Sequence, residues 1–211
     1  YLKERFGVKG VQFRDPLFTL LKKRTEDLCN EIIKNNIDIE FGCETRLDRV
    51  DEGLLDLMYL AGFKSLKVGI ESADIEVLKK SKRMPIALEY QEKMIKHCDK
   101  IGMKVVGFYV IGLENDTEET VKATLEYSKK LNTDFANFTI CTPIPGTEFY
   151  ETVEDFIPED EEAKPKSINV DVSRDYSGTV TKGLDYVQVG CQRITIENVK
   201  GILKAYEEVN G

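Results

Sequence analysis

No two of the five cysteines form a CxxC pair, histidine occurs once, and no apolar run nears the ~20 residues of a membrane-spanning helix. Cys29, Cys43, Cys98, Cys141 and Cys191 are odd in number and widely spaced, which disfavours a disulfide framework and a zinc site alike. Such free thiols suit a reducing compartment, and no signal-peptide pattern opens the chain, so a cytoplasmic location is expected. The lone His97 falls in a helical stretch beside Cys98 and reads as a packing or surface residue, not a catalyst. Positive charge is scarce too. Thirty lysines and arginines stand against 38 acidic residues, and the net charge of −8 is poor material for a phosphate-binding surface.

What remains is a globular composition, 41% hydrophobic and 32% charged over 211 residues, enough for one sizeable core. Strand-like runs at 8–14, 37–44, 64–71, 103–112 and 134–141 alternate with helical stretches at 19–35, 51–61, 74–81, 86–101 and 117–131. That alternation predicts βαβ units and a parallel sheet. Residues 1–6 read as the last turns of a helix closed by Gly7, so the chain is expected to begin inside a larger protein. Asp116 followed by Glu119 has the form of a capping box. Residues 1–150 are read as one barrel-like domain. Residues 151–211 are read as an acidic, proline-bearing connector and a small C-terminal α+β appendage.

The strands have two unlike faces. Within 37–44, Ile39, Phe41 and Cys43 oppose Glu40, Gly42 and Glu44. Within 64–71, Leu66, Val68 and Ile70 oppose Lys67, Gly69 and Glu71. An apolar face for the helices and a polar face turned away fit a partly open βα barrel. A closed barrel fills its lumen with branched side chains, and a doubly wound sheet, which stays open as the alternative, buries both faces. In such barrels chemistry collects at the C-terminal strand ends. Those ends carry Arg14-Asp15-Pro16, Cys43-Glu44-Thr45-Arg46, Gly69-Ile70-Glu71-Ser72, Gly112 to Thr117, and Cys141 to Thr147. Carboxylates, arginines, hydroxyls and open backbone suit a nucleoside joined to an amino acid.

In order and in register over about residues 1–150, the segments FRDPLFT, CETRLD, AGFKSLKVGIES, KHCDKIG, GFYVIGLENDTEET and TPIPGTEFY resemble the radical S-adenosylmethionine (SAM) superfamily. The likeness points to its cobalamin-dependent and methylthiotransferase-like branch. It implies a partial (β/α)6 TIM-like barrel missing its first strand. It also implies an iron–sulfur enzyme that cleaves SAM reductively to a 5′-deoxyadenosyl radical.

Carried over by position, the resemblance gives Asp15 to the SAM amino group, and Glu71 and Ser72 to its ribose and carboxylate. Gly112 falls to the backbone near adenine, as does the loop with Thr142, Pro143 and Gly146. Glu44 and Arg46 fall to the SAM carboxylate or the substrate. No catalytic residue is assigned.

Two departures stand out: Phe13-Arg14 replaces the family's paired glycines, and Glu114-Asn115 replaces its Pro-Gly. The larger departure is the family's CxxxCxxC loop, which has no counterpart here and is expected upstream of Tyr1. SAM and a [4Fe–4S] cluster, with cobalamin in one branch, are therefore expected of the full-length protein. Neither cofactor nor metal is expected on this chain alone, which should be inactive. The expected partners are SAM, an unidentified substrate and a second copy docked at the exposed sheet edge, with no membrane. A non-catalytic ligand-binding barrel and an unrelated βα-barrel lyase remain as alternative readings.

Overall fold

Polar caps and glycine stops set the element boundaries. The computed structural model describes residues 1–141 and 146–153. The first helix, α1 (Leu2–Phe6), ends at Gly7 in the left-handed region, φ 66°, which glycine adopts without steric cost. Strand β1 is short, Gly10–Gln12, and α2 runs Lys22–Lys34. Then come β2 (Glu40–Thr45), α3 (Glu52–Leu60), β3 (Phe63–Glu71) and α4 (Ile75–Lys80). They are followed by α5 (Leu88–Ile101), β4 (Lys104–Ile111), α6 (Glu118–Leu131), β5 (Phe135–Ile140) and α7 (Glu148–Val153). Asp51 caps α3 by accepting from the Leu54 amide at 2.9 Å, and Asp74 caps α4 through the amides of Glu76 and Val77.

Two boundary expectations change. Helix α2 begins at Lys22, three residues after the expected start at 19. The capping box at α6 does not form as expected. The Thr117 hydroxyl accepts from the Thr120 amide at 3.3 Å, while the Asp116 carboxylate turns back to the preceding strand end.

The sheet order is β1-β2-β3-β4-β5, and the β1–β2, β2–β3 and β3–β4 pairs are parallel. Strand order equals chain order, without the reversal that defines a doubly wound sheet. This is the topology of a partial βα barrel, and it removes the doubly wound alternative. The appendage expected within 151–211 lies almost wholly outside the described residues.

Two compact units emerge. The first comprises Tyr1–Glu71, Met84–Tyr109 and Lys130–Asn137; the second comprises Ser72–Arg83, Val110–Lys129 and the described residues from Phe138 onward. In the first, burial follows the alternation: Leu66, Val68 and Ile70 of β3 are buried, and Ser65, Lys67, Gly69 and Glu71 are half-buried. Phe13 explains one departure from the family pattern. Its ring packs 4.7 Å from Phe18 and lies nearly parallel to Phe63 at 5.8 Å, with Phe41 completing the cluster. An aromatic there closes the apolar side of the sheet, where glycine would leave a void. In the second unit, Val77, Leu78 and Leu113 form a small apolar cluster with Val110 and Cys141 against it. Cys141 therefore packs into apolar surroundings.

Candidate functional site

At the end of β2 the first unit gathers opposite charges. Glu44 Oε1 accepts from Arg14 Nη1 at 3.0 Å and lies 4.0 Å from Lys67 Nζ, so the carboxylate sits between two cations. Arg46 forks onto Asp48, Nε to Oδ1 at 2.9 Å and Nη2 to Oδ2 at 3.0 Å, and Nη2 also reaches the Met84 carbonyl at 3.2 Å. A two-point grip of this kind fixes the guanidinium plane. The Asp48 hydrogen bond raises the arginine's pKa, with smaller contributions from the charges of Asp48 and Glu71, and the same bond lowers that of Asp48. Asp15 is about half exposed and meets Arg24 at 3.5 Å, on the helix side rather than beside Glu44.

Glu71 ends β3 in a backbone conformation that its residue type disfavours. Its φ is 70°, and the β3–β4 register slips between Gly69 and Glu71, so that Ile70 is an extra residue in the ladder. A left-handed non-glycine residue costs on the order of 1–2 kcal/mol and persists only where its surroundings impose it. Bulges of this kind re-aim a side chain beside a functional site. Here the carboxylate folds back over Gly69. Lower on the same face, the Gln12 and Ser65 side chains close over Gly42, and a β-carbon there would lie 2.6 Å from Ser65 Oγ. The floor of the polar face is thus already filled.

In the second unit Ser72 is buried, and its hydroxyl is engaged. Thr124 Oγ1 donates to the Thr120 carbonyl at 3.0 Å, so the Ser72 proton points to Thr124 across 3.2 Å while its oxygen accepts from the Asp74 amide at 3.1 Å. Ser72 thus braces the turn that leads into α4. Gly112, φ 84°, is held by Asp116, whose Oδ2 accepts from the amides of Gly112 at 2.9 Å and Leu113 at 3.2 Å. Oδ1 takes the Thr120 hydroxyl proton at 2.6 Å. Burial is the main cause that raises the Asp116 pKa, and these bonds oppose it. Asn115 adopts φ 68°, supplying the left-handed turn that the family's glycine would give. Gly146 is exposed with φ 84°, and Thr142 and Pro143 lie outside the described residues.

The structure brings Glu44 and Arg46 to one strand end and the Glu71 charge within electrostatic reach of Arg46; Asp15 points elsewhere. Sequence reading missed the space Gly69 leaves for Glu71, the partners Asp48 and Thr124, and the backward turn of Asp116. The only available signals were a glycine two residues before Glu71 and an aspartate two residues after Arg46.

The described residues do not fit an iron–sulfur cluster. Among them no three His, Cys, Asp or Glu side chains converge on a metal position. Burial pushes the thiols of Cys29 up to about 11 and of Cys43 and Cys98 up to about 12, far from the thiolate a cluster needs. They do fit the polar parts of SAM: a carboxylate aimed over a glycine and a locked cation nearby answer an ammonium and a carboxylate. None of the described helices is long and apolar enough to cross a membrane.

Comparison with known proteins agrees with this fold. The family model for the radical SAM superfamily matches residues 1–128. An uncharacterised methyltransferase of Pyrococcus horikoshii is 34% identical over 150 residues, covering 71% of this chain and 32% of the relative. An anaerobic magnesium-protoporphyrin IX monomethyl ester cyclase of Rubrivivax gelatinosus is 28% identical, covering 65% of this chain and 25% of its own length. In fold, the chain is similar to TsrM of Kitasatospora setae, a radical SAM methyltransferase solved with cobalamin and a [4Fe-4S] cluster. The TM-score is 0.61 at 20% identity, over 66% of this chain and 27% of that one. The chain thus spans about a third or less of the length of these relatives.

Proposed function

Because the chain belongs to the radical SAM superfamily, whose members use SAM and a [4Fe–4S] cluster, we propose that it is the SAM-facing part of a larger enzyme that cleaves SAM reductively. The observation that carries this reading is Glu71: a carboxylate held in strained backbone at the end of β3, within the field of a locked Arg46. Glu71 takes the ammonium and ribose hydroxyls of SAM, and Arg46 with Glu44 orients its carboxylate or the substrate. Gly112, fixed by Asp116, and Gly146 with Thr142 and Pro143 border the adenine. Ser72 braces the chain behind Glu71. Asp15 is retained as a contact only if its pairing with Arg24 opens.

The cluster is assigned to residues other than those described, since the described thiols do not fit it, and no step through it is assigned to this chain. Methyltransferases stand among the relatives, and methyl transfer is the reaction class we favour. No residue is assigned to cobalamin. The three-residue edge strand β1 is the surface on which we place a second copy, and sedimentation would read the resulting dimer.

The deciding experiment uses the full-length protein, loaded with its cluster anaerobically and given SAM and a strong reductant. Formation of 5′-deoxyadenosine, lost in E71A, is the expected result. Cluster and SAM binding without deoxyadenosine would replace the enzymatic reading with that of a ligand-binding barrel.

A further inference from the structure

Gly69 has no conformational reason to be glycine. Its φ is not positive, it still pairs with Phe108 just before the bulge at Ile70, and a glycine inside a strand forfeits packing and adds entropy cost. The reason lies in the space above it. A β-carbon at residue 69 would sit 2.8 Å from Glu71 Oε1 and 3.7 Å from Glu71 Cδ. The missing side chain is where the Glu71 carboxylate rests. Two further features serve the same group. The extra residue Ile70 shifts the β3–β4 register, and the left-handed backbone of Glu71 turns its side chain back along the strand.

We propose that Gly69 is a positioning residue, a seat that holds the Glu71 carboxylate against the polar face where it meets the ammonium and hydroxyl groups of SAM. The proposal rests on the assignment of Glu71 to SAM made above. The neighbour a new side chain would meet is the tip of a flexible side chain, not backbone. Alanine at 69 should therefore displace the carboxylate and spare the fold.

The test uses the full-length, cluster-loaded enzyme in four forms: wild type, G69A, E71A and G69A/E71A. It reads equilibrium SAM binding, the KM for SAM in deoxyadenosine release, and thermal unfolding. E71A should weaken SAM binding by about tenfold or more, the scale of a lost charge-assisted hydrogen bond. G69A should lose several-fold of that, as a rise in KM with little change in kcat. The double variant should bind no worse than E71A alone, because residues that act through one another are not additive.

The Gly69 proposal falls if G69A binds SAM like the wild type, or if its loss adds in full to that of E71A. It also falls if G69A lowers the melting temperature equally in the wild-type and E71A backgrounds, since its role would then be structural. If E71A itself binds SAM normally, the assignment of Glu71 to SAM has failed instead, and the seat has no ligand to serve.

Discussion

Asp116 carries two burdens at once, since it is half-buried and yet is the acceptor for two amides and a hydroxyl. Its pKa is raised by burial first, with Asp74 adding to the effect. An acid whose folded pKa lies above its unfolded value favours the fold while protonated. Its charge then costs stability as pH rises from the unfolded value, about 3.9, through the folded one. Asparagine can accept from both amides through its oxygen and donate to Thr120. D116N should therefore hold the turn and flatten this part of the pH profile, whereas D116A should lose about 1–3 kcal/mol for unsatisfied amides. Urea unfolding of the three forms between pH 3.5 and 7 would separate them, and equal losses in D116N and D116A would refute the account. Gly107 makes a second case. A β-carbon there would lie 3.1 Å from the Tyr109 ring and hydroxyl, and Tyr109 is fully buried. G107A should cost about 1–3 kcal/mol of overpacking, measured as a lower midpoint in the same experiment. These details were the least legible in the sequence. Glutamate in a left-handed conformation runs against its own propensity, and the aspartate-to-glutamate spacing that suggests a forward cap is silent about an aspartate turned backward. The burial of Ser72 depends on Thr124, 52 residues away.

At the scale of elements the sequence was far more informative, because helix and strand periods are local. Strands β3, β4 and β5 lie within one residue of their expected bounds. Strand β1 is shorter than expected, although the Phe13 amide still donates to the Gly42 carbonyl at 2.8 Å while its ring joins the aromatic cluster. Asp51 shows how one residue ties elements together. It caps α3 and accepts from Lys22 of α2 at 2.5 Å. The Lys22 hydrogen bond is the main cause of its lowered pKa, followed by the Leu54 amide. The sign here is opposite to that of Asp116: a depressed acid stabilises the fold above the unfolded value of about 3.9 and loses that contribution as pH falls through the folded one. D51A should cost about 1 kcal/mol for the cap. The difference from wild type should shrink on acidification, and circular dichroism melts at pH 7 and pH 3 would follow it. A constant difference would mean that the carboxylate charge plays no part.

For the whole molecule, the strongest expectation concerns what these residues do alone. The thiols of Cys29, Cys43 and Cys98 are buried, protonated at neutral pH and on separate elements, and Cys141 is half-buried beyond β5. The 211 residues treated with iron and sulfide without oxygen should develop no stable charge-transfer absorbance. Their SAM affinity should stay weak, since the remaining polar contacts each contribute about 0.5–1.5 kcal/mol net. A cluster spectrum from this chain would overturn that assignment. The sequence revealed the family through motifs in order. It could not give the joint geometry of their side chains, which is set by contacts between segments tens of residues apart.

The sequential order of the sheet also bears on how the protein is made. Gly10 meets Glu40, Phe41 meets Phe63 and Ser65 meets Lys104, so no strand waits for a partner more than about 40 residues down the chain. A nascent chain leaving the ribosome can therefore add one βα layer at a time, each new strand finding a template already in place. Synthesis that pauses after α5 would leave β3 with an open edge and nothing yet to cover it. That is the interval in which a chaperone would matter most to this molecule.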